Sequence, residues 1–368
     1  MIGLALSGGG SRAMAFHLGC LRALNDLGVL EKIGALSTIS GGSVIGAYYA
    51  YSPNKSFAEF ETDIRGFLRI GFHRKILLES LKPHNLVPGL AAFFLSHAQD
   101  CAKLFGRREP PIRRFRSRTD AFERVLHREL FPSLDLGAPR RGDLPIVIGA
   151  CELRSGTAFR FGHERSGTWR LGEMEGNSVD VSFAVAASAA YPIMLPAFDR
   201  TFRFNKGGQV QARRVSLTDG GVYDNLGLQV LEPGRDPGVS LHTFPCEYII
   251  ACNAGQGQEA GHSVPLGFVS RVSRAFGVVH RRVQDNAMHH LYGMREAGLI
   301  RGFAMPYLGQ QDSALPWRPT GLVSRDKVIN YPTDFAPMSE AWINLLSGRG
   351  EQLTRALIPM YLPELMGL

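Results

Sequence analysis

The stretch 37–47, which reads Ser-Thr-Ile-Ser-Gly-Gly-Ser-Val-Ile-Gly-Ala, constrains the fold of this chain more than any other. Ahead of it, Ile33–Ile39 reads as a short buried strand. Behind it, Val44, Ile45, Tyr48 and Tyr49 recur at helical spacing among small residues. A strand that turns into a helix through a serine flanked by glycine is the sequence form of a nucleophile elbow. The sharp turn lifts one hydroxyl clear of the sheet, and glycine lets strand and helix pack closely. Ser40 is the candidate nucleophile and Ser43 its rival. The plainer alternative is that either serine merely caps the first helical turn.

Upstream, residues 2–6 read as a buried strand, followed by the loop Ser7, Gly8, Gly9, Gly10, Ser11, Arg12. A helix then runs to about Leu27, with Met14, Leu18, Leu21 and Leu24 on one face and Gly28 as its stop. With the elbow this makes a βαβα opening, which implies a parallel sheet. Residues 57–130 mix apolar and basic side chains with Pro83, Pro88, Pro110 and Pro111 as breakers, and read as a largely helical insertion or lid. The sheet resumes at 144–151, a near-continuous apolar run, followed by a hairpin strand near Phe159 and Phe161. Further along, the pattern predicts a helix over 182–190 ending at Tyr191 and Pro192, and strands at 213–217 and 247–252. It also predicts helices over 268–299 and 338–357, with a loop over 302–322. The chain is expected to form one domain over 1–368, with the basic insertion at 55–140.

The triple-glycine loop sits between strand and helix, where backbone N–H groups converge at the positive end of a helix dipole. Such a loop can hold a phosphate or the oxyanion that develops when an ester is attacked. The dinucleotide fingerprint would need a third spaced glycine where Ala13 stands, and the Walker loop would need a lysine that is absent. The oxyanion reading at Gly8, Gly9 and Gly10 is therefore the better one. Arg12 either meets a substrate phosphate or lies on a solvated helix face.

A serine hydroxyl needs a base. Asp219, at a strand end before Gly220 and Gly221, is the best carboxylate candidate; the alternative is a tight turn in which it bonds its own backbone. Asp224 is the nearby competitor. Eleven histidines are present, but His280, His289 and His290 fall in a helical stretch and read as surface or packing residues. No metal-ligand spacing occurs.

Hydrophobic content of 45% and charged content of 20% suit a folded chain with a sizeable core. No signal peptide and no apolar run of about 20 residues, the length of a membrane span, is seen. Five widely spaced cysteines without a C-x-x-C pair suit free thiols in a reducing, cytoplasmic compartment. The net charge of +8 is local: twelve Lys and Arg against three acidic residues fall between Arg65 and Arg118. Within that window, residues 64–75 interleave apolar and basic side chains, which suits an anionic membrane surface. A solvated basic face is the alternative, and nucleic acid is disfavoured as a partner.

Three segments in order resemble the patatin-like phospholipase family. The loop from Ser7 to Arg12 is similar to its oxyanion loop, Ser40-Gly41-Gly42 to its nucleophile turn, and Asp219-Gly220-Gly221, continuing through Val222, Tyr223, Asp224 and Asn225, to its aspartate motif. Ala186 to Pro192, followed by Leu195 and Pro196, resembles the segment beside its acyl pocket. The likeness covers residues 3–228. The Ser-Gly-Gly form and the arginine after the triple glycine resemble the cytosolic phospholipase branch.

The resemblance implies an α/β fold of three layers, α/β/α, with a mainly parallel central sheet. It implies a dyad in which Ser40 attacks an ester carbonyl and Asp219 acts as base and then acid, with N–H groups around Gly8, Gly9 and Gly10 holding the oxyanion. Arg12, Gly41 and Pro192 would contact substrate, a phospholipid or another acyl ester. No metal or other cofactor is implied. The chain would work in the cytoplasm, peripherally on membranes. It departs from the family's G-x-S-x-G at Thr38, where glycine is expected. A non-catalytic lipid- or phosphate-binding module and a histidine-dependent serine esterase are the alternatives.

Overall fold

A computed structural model describes residues 1–52, 56–83, 117–141, 144–176, 178–192, 194–257 and 264–366, with 85–87, 90, 91, 94 and 98 besides. Ten strands form one sheet: β1 (Ile2–Leu6), β2 (Ile33–Ile39), β3 (Ile146–Glu152), β4 (Thr157–Gly162), β5 (Ser166–Thr168), β6 (Gly172–Met174), β7 (Phe198–Lys206), β8 (Gln209–Asp219), β9 (Tyr248–Cys252) and β10 (Gly302–Ala304). Their spatial order is β10-β9-β1-β2-β3-β4-β5-β6-β7-β8, and β8 returns to pair with β3. The pairs from β10 to β3 are parallel. From β3 through β8 and back, every pair is antiparallel.

The expected mainly parallel sheet is therefore corrected to a sheet that is parallel in one half and a closed antiparallel ring in the other. The difference follows from the connections. Parallel neighbours need long crossovers, supplied here by helices, whereas short turns join β3, β4, β5 and β6 in series and β7 to β8, and force antiparallel pairing; β6 and β7 pair antiparallel across a longer link, residues 175–197. The tightest of these turns is Gly207-Gly208, with φ of 59° and 83° between β7 and β8, the two left-handed positions a two-residue hairpin turn demands. β7 and the outer half of β8 had no counterpart in the sequence reading, nor did β5, β6 or β10.

The longer helices among the described residues are α1 (Gly10–Asp26), α2 (Gly41–Tyr51), α3 (Phe57–Ile70), α4 (His73–Leu81), α5 (Arg118–Glu129), α6 (Val181–Ser188), α7 (Phe268–Glu296) and α8 (Glu340–Tyr361). Alternation along the strands builds a separate core on each face of the sheet. Leu4, Leu6, Leu36, Ile146, Ile148 and Ile250 pack with α1, α2 and α8 on one side. Ala5, Ala35, Val147, Ile249 and Ala251 pack on the other with Leu226, Leu228, Leu231 and, from the end of α7, Leu291 and Met294.

The insertion is helical where it is described, and serines with capping boxes start α3 and α5. Its basic segment at 64–75 is partly packed against the fold. Ile64, Leu68 and Phe72 are buried in the core, while Arg65 and Arg69 pair with Glu340 and Lys75 with Glu129. Ile70 stays exposed. Lys103, Arg107, Arg108, Arg113, Arg114 and Arg116 lie outside the described residues.

Register then positions the site. With β4 along one edge of β3, β2 and β8 share the other. β2 ends with Ile39 opposite Gly149, and β8 ends with Asp219 opposite Ala150, the next residue of β3. The C-terminal ends of two strands thus meet head-on, and Ser40 and Asp219 emerge side by side.

Candidate active site

Ser40 stands between β2 and α2 with φ 52° and ψ −120°, a left-handed backbone that costs a non-glycine residue of order 1–3 kcal/mol. Its neighbours hold it there. The Ser40 N–H donates to Ser188 Oγ at 2.9 Å, and Ser188 Oγ–H donates to the Gly149 carbonyl at 2.6 Å. With that proton spent, the 2.8 Å contact between Ser188 and Ser43 has Ser43 as donor. Ser43 is fully buried in this support. Ser40 instead faces outward to a cavity.

The Ser40 hydroxyl donates to Asp219 Oδ2 at 2.7 Å, and Asp219 Oδ1 accepts from the Gly221 N–H at 2.7 Å. Burial raises the Asp219 pKa from 3.8 to about 6, against the opposing pull of the Ser40 and Gly221 hydrogen bonds. At neutral pH this is a carboxylate able to take a proton. Among the described residues, Asp219 is the only hydrogen-bond partner of the Ser40 hydroxyl, so no histidine contacts it. Asp224 binds the N–H groups of Leu226, Gly227 and Gln229 and shapes the following loop.

The N-termini of α1 and α2 converge on this pair. A Cβ on Gly41 would lie 2.2 Å from the Gly10 carbonyl oxygen and 2.8 Å from its nitrogen, and one on Gly8 would lie 3.2 Å from Ser40 Cβ. The Gly8 N–H donates to Asn225 O, whereas those of Gly9, Gly10 and Gly41 have no hydrogen-bond partner among the described residues. Unpaired donors at two helix starts beside a serine suit an anionic oxygen.

A cavity of about 580 Å³ opens above Ser40 and Asp219. Gly8, Gly9, Gly10 and Arg12 line it, together with Tyr191, Met194 and Leu195, and α7 crosses it with Arg274, Phe276, His280 and Arg281. Arg12 is buried, with Nε donating to Ala254 O and Nη1 to Tyr331 O. Desolvation lowers its pKa to about 10, still cationic at neutral pH. Its Nη2 lies 3.2 Å from where a Gly9 Cβ would be. Pro192 is exposed and outside the lining, so the expected contact passes to its neighbours Tyr191 and Met194. His280, expected on the surface or in packing, faces the cavity, its pKa lowered by burial and then by Arg12. Only the crossing of α7 over the site, which no local motif encodes, marks it out.

The family model of patatin-like phospholipases matches residues 4–231. Among solved structures, human GIVD cytosolic phospholipase A2 matches 97% of this chain at 14% identity with a TM-score of 0.54. The same human enzyme in complex with methyl gamma-linolenyl fluorophosphonate matches 97% at 13% identity with a TM-score of 0.50. At such identity the likeness is one of fold. The chain spans 58% and 57% of those two chains. No curated protein matches its sequence.

Proposed function

The chain belongs to the patatin-like phospholipase family, and from that premise we propose that it hydrolyses carboxylic esters of phospholipids, as a phospholipase A or lysophospholipase, through Ser40 and Asp219. The observation that carries this reading is the 2.7 Å Ser40–Asp219 hydrogen bond at the floor of a cavity beside three unpartnered backbone N–H groups. Asp219 takes the proton as Ser40 Oγ bonds to the ester carbon, and the carbonyl oxygen becomes an oxyanion held by the N–H groups of Gly9, Gly10 and Gly41. Collapse breaks the ester C–O bond, and Asp219 returns the proton to the leaving alcohol. Water, deprotonated by Asp219, then releases the fatty acid and restores Ser40.

Among the described residues, five arginines line the cavity (Arg12, Arg74, Arg118, Arg274 and Arg281) against three aspartates, Asp219, Asp285 and Asp334. This balance favours a substrate that carries phosphate over a neutral glyceride. Access to a bilayer is better served by the cavity rim than by residues 64–75. Leu77 of α4 and Val278 of α7 line the cavity and are exposed, and Leu78 and Leu81 of α4 and Phe268, Val272 and Val279 of α7 are exposed on the same two helices, apolar side chains suited to lying at an interface.

The test is a fluorophosphonate probe with the adduct located by mass spectrometry, alongside turnover of a p-nitrophenyl ester and of phosphatidylcholine. Label on Ser40 and loss of both activities in Ser40→Ala are expected. Label on Ser43, or turnover surviving in Ser40→Ala, would sink the assignment. An unlabelled and inactive parent chain would indicate a binding module.

A further inference from the structure

Behind the glycine loop lies a cluster that the proposed reaction does not use. His17 and Cys20 are three residues apart on one face of α1, and Cys252 ends β9. A ring nitrogen of His17 and the two sulfurs lie within 4.8 Å of one another. All three side chains are buried, none more than 1% exposed. His17 Nε2 is 2.9 Å from the Ser7 carbonyl, an acceptor, so the ring proton sits on Nε2 and Nδ1 keeps its lone pair. That Nδ1 is buried with no hydrogen-bond partner among the described residues, an arrangement that leaves a basic nitrogen unsatisfied in the core.

We propose that His17, Cys20 and Cys252 form a site for one thiophilic divalent cation of the Zn²⁺ type. An imidazole that gives its outer N–H to a backbone carbonyl and keeps the other nitrogen free is the usual state of a metal-ligating histidine. Two thiolates, one neutral imidazole and a divalent cation sum to zero charge, which suits a site without solvent. In a tetrahedral Zn²⁺ site the donor atoms stand roughly 3.3–3.8 Å apart, so a cluster already within 4.8 Å has to contract by about 1–1.5 Å at most to close. The Gly350 carbonyl, 3.6 Å from Cys20 Sγ, already accepts from Thr354 Oγ1 at 2.8 Å, so the three side chains are the protein donors of the site. The ion would act as a staple. The Ser7 N–H donates to Cys252 O, and the Ala254 N–H to Ser7 Oγ, so the ion ties α1 and β9 to the base of the loop that carries Gly8, Gly9 and Gly10. No linear motif announces it, because two ligands come from a helix and the third from a strand more than two hundred residues later.

The test uses the full chain, purified under reducing conditions and freed of metal with a chelator. Co²⁺, a spectroscopic stand-in for Zn²⁺, is added to the folded chain and, in parallel, during refolding. The expected result is a thiolate-to-cobalt charge-transfer band and tetrahedral d–d bands that saturate at one equivalent and vanish when Zn²⁺ displaces the cobalt. Cys20→Ser and Cys252→Ser, each folded by circular dichroism, should lose the charge-transfer band or most of it. If either variant fails to fold, the parent titration decides alone. No saturable band in the reduced, folded parent overturns the proposal. So does an unchanged band in both folded variants, or a Cys20–Cys252 disulfide found by mass spectrometry in the reduced preparation.

Discussion

Thr38 fills the space that Gly46 leaves open. A Cβ built on Gly46 would lie 2.5 Å from Thr38 Cγ2, while Thr38 Oγ1 donates to the Val147 carbonyl at 3.3 Å. The threonine that stands where a glycine was expected is thus housed by a glycine on the helix packed above it. Gly46→Ala should destabilise the chain by about 2 kcal/mol through overpacking. Thr38→Ser keeps the hydroxyl and removes the methyl, so the double variant should recover about 1 kcal/mol or more of that loss. Urea unfolding of the four proteins measures the coupling, and strict additivity would refute the contact.

Asp219→Asn should sharply lower turnover and yet stabilise the fold. The native carboxyl keeps its proton up to a pH of about 6, whereas the unfolded one releases it near 3.8. Stability therefore falls as pH rises between these values and stays lower above them. Asparagine can still accept from Gly221 and can donate to Ser40 without burying a charge. The expected gain at pH 7–8 is on the order of 2–3 kcal/mol, shrinking towards zero below pH 4, with activity down by roughly 10²–10⁴. Thermal melts at both pH values check the sign.

The pH profile of ester hydrolysis should show one acid limb. Asp219 must be ionised to act as base, so kcat/KM for a soluble ester should fall about tenfold per unit below an apparent pKa of about 6 and level off above it. His280 faces the same cavity, but burial and Arg12 hold its pKa below the ordinary value. His280→Ala should leave the limb in place; a limb that disappears with the histidine would return the base to His280.

Two inactive variants of the elbow should differ in stability. With φ at 52°, position 40 suits glycine better than any residue with a Cβ. Ser40→Gly should be more stable than Ser40→Ala by about 1 kcal/mol. Equal stabilities would mean that the turn holds no backbone strain.

Vesicle binding should depend on the exposed apolar side chains of α4 and α7. Replacing Leu78, Leu81, Phe268 and Val279 with serine should weaken binding to anionic vesicles several-fold and leave soluble-ester hydrolysis intact. Arg65→Gln and Arg69→Gln should lower stability, because these arginines hold Glu340 at the start of α8, and should change vesicle binding little. Sedimentation with vesicles separates the two outcomes.

Much of the site was legible from local sequence because its parts are local devices. The loop after β1, the elbow after β2 and the turn after β8 each pair a strand end with glycine, and that signature survives without knowledge of the fold. What escaped was set at long range. Ser188 looked like part of a small-residue helix, yet its hydroxyl supports Ser40, Ser43 and Gly149 from different elements. The outer half of β8, residues 209–212, is exposed on both faces, so its alternation of glutamine with Val210 and Ala212 buries nothing; the glycine pair before it is the clearer mark of the hairpin. Residues 64–75 could not be read from local sequence because basic and apolar side chains at helical spacing serve an internal helix face and a membrane face equally well.

The head-on meeting of β2 and β8 along β3 has a temporal consequence. Ser40 and Asp219 are 179 positions apart, and closing so long a loop is among the slow events of folding. A chain emerging from its N-terminus completes the glycine loop and the elbow well before the strand that ends at Asp219 has been made. Under the proposed dyad the serine would have no proton acceptor until β8 docks, and ester hydrolysis would be a late reporter of assembly, switched on by the strand that closes the ring.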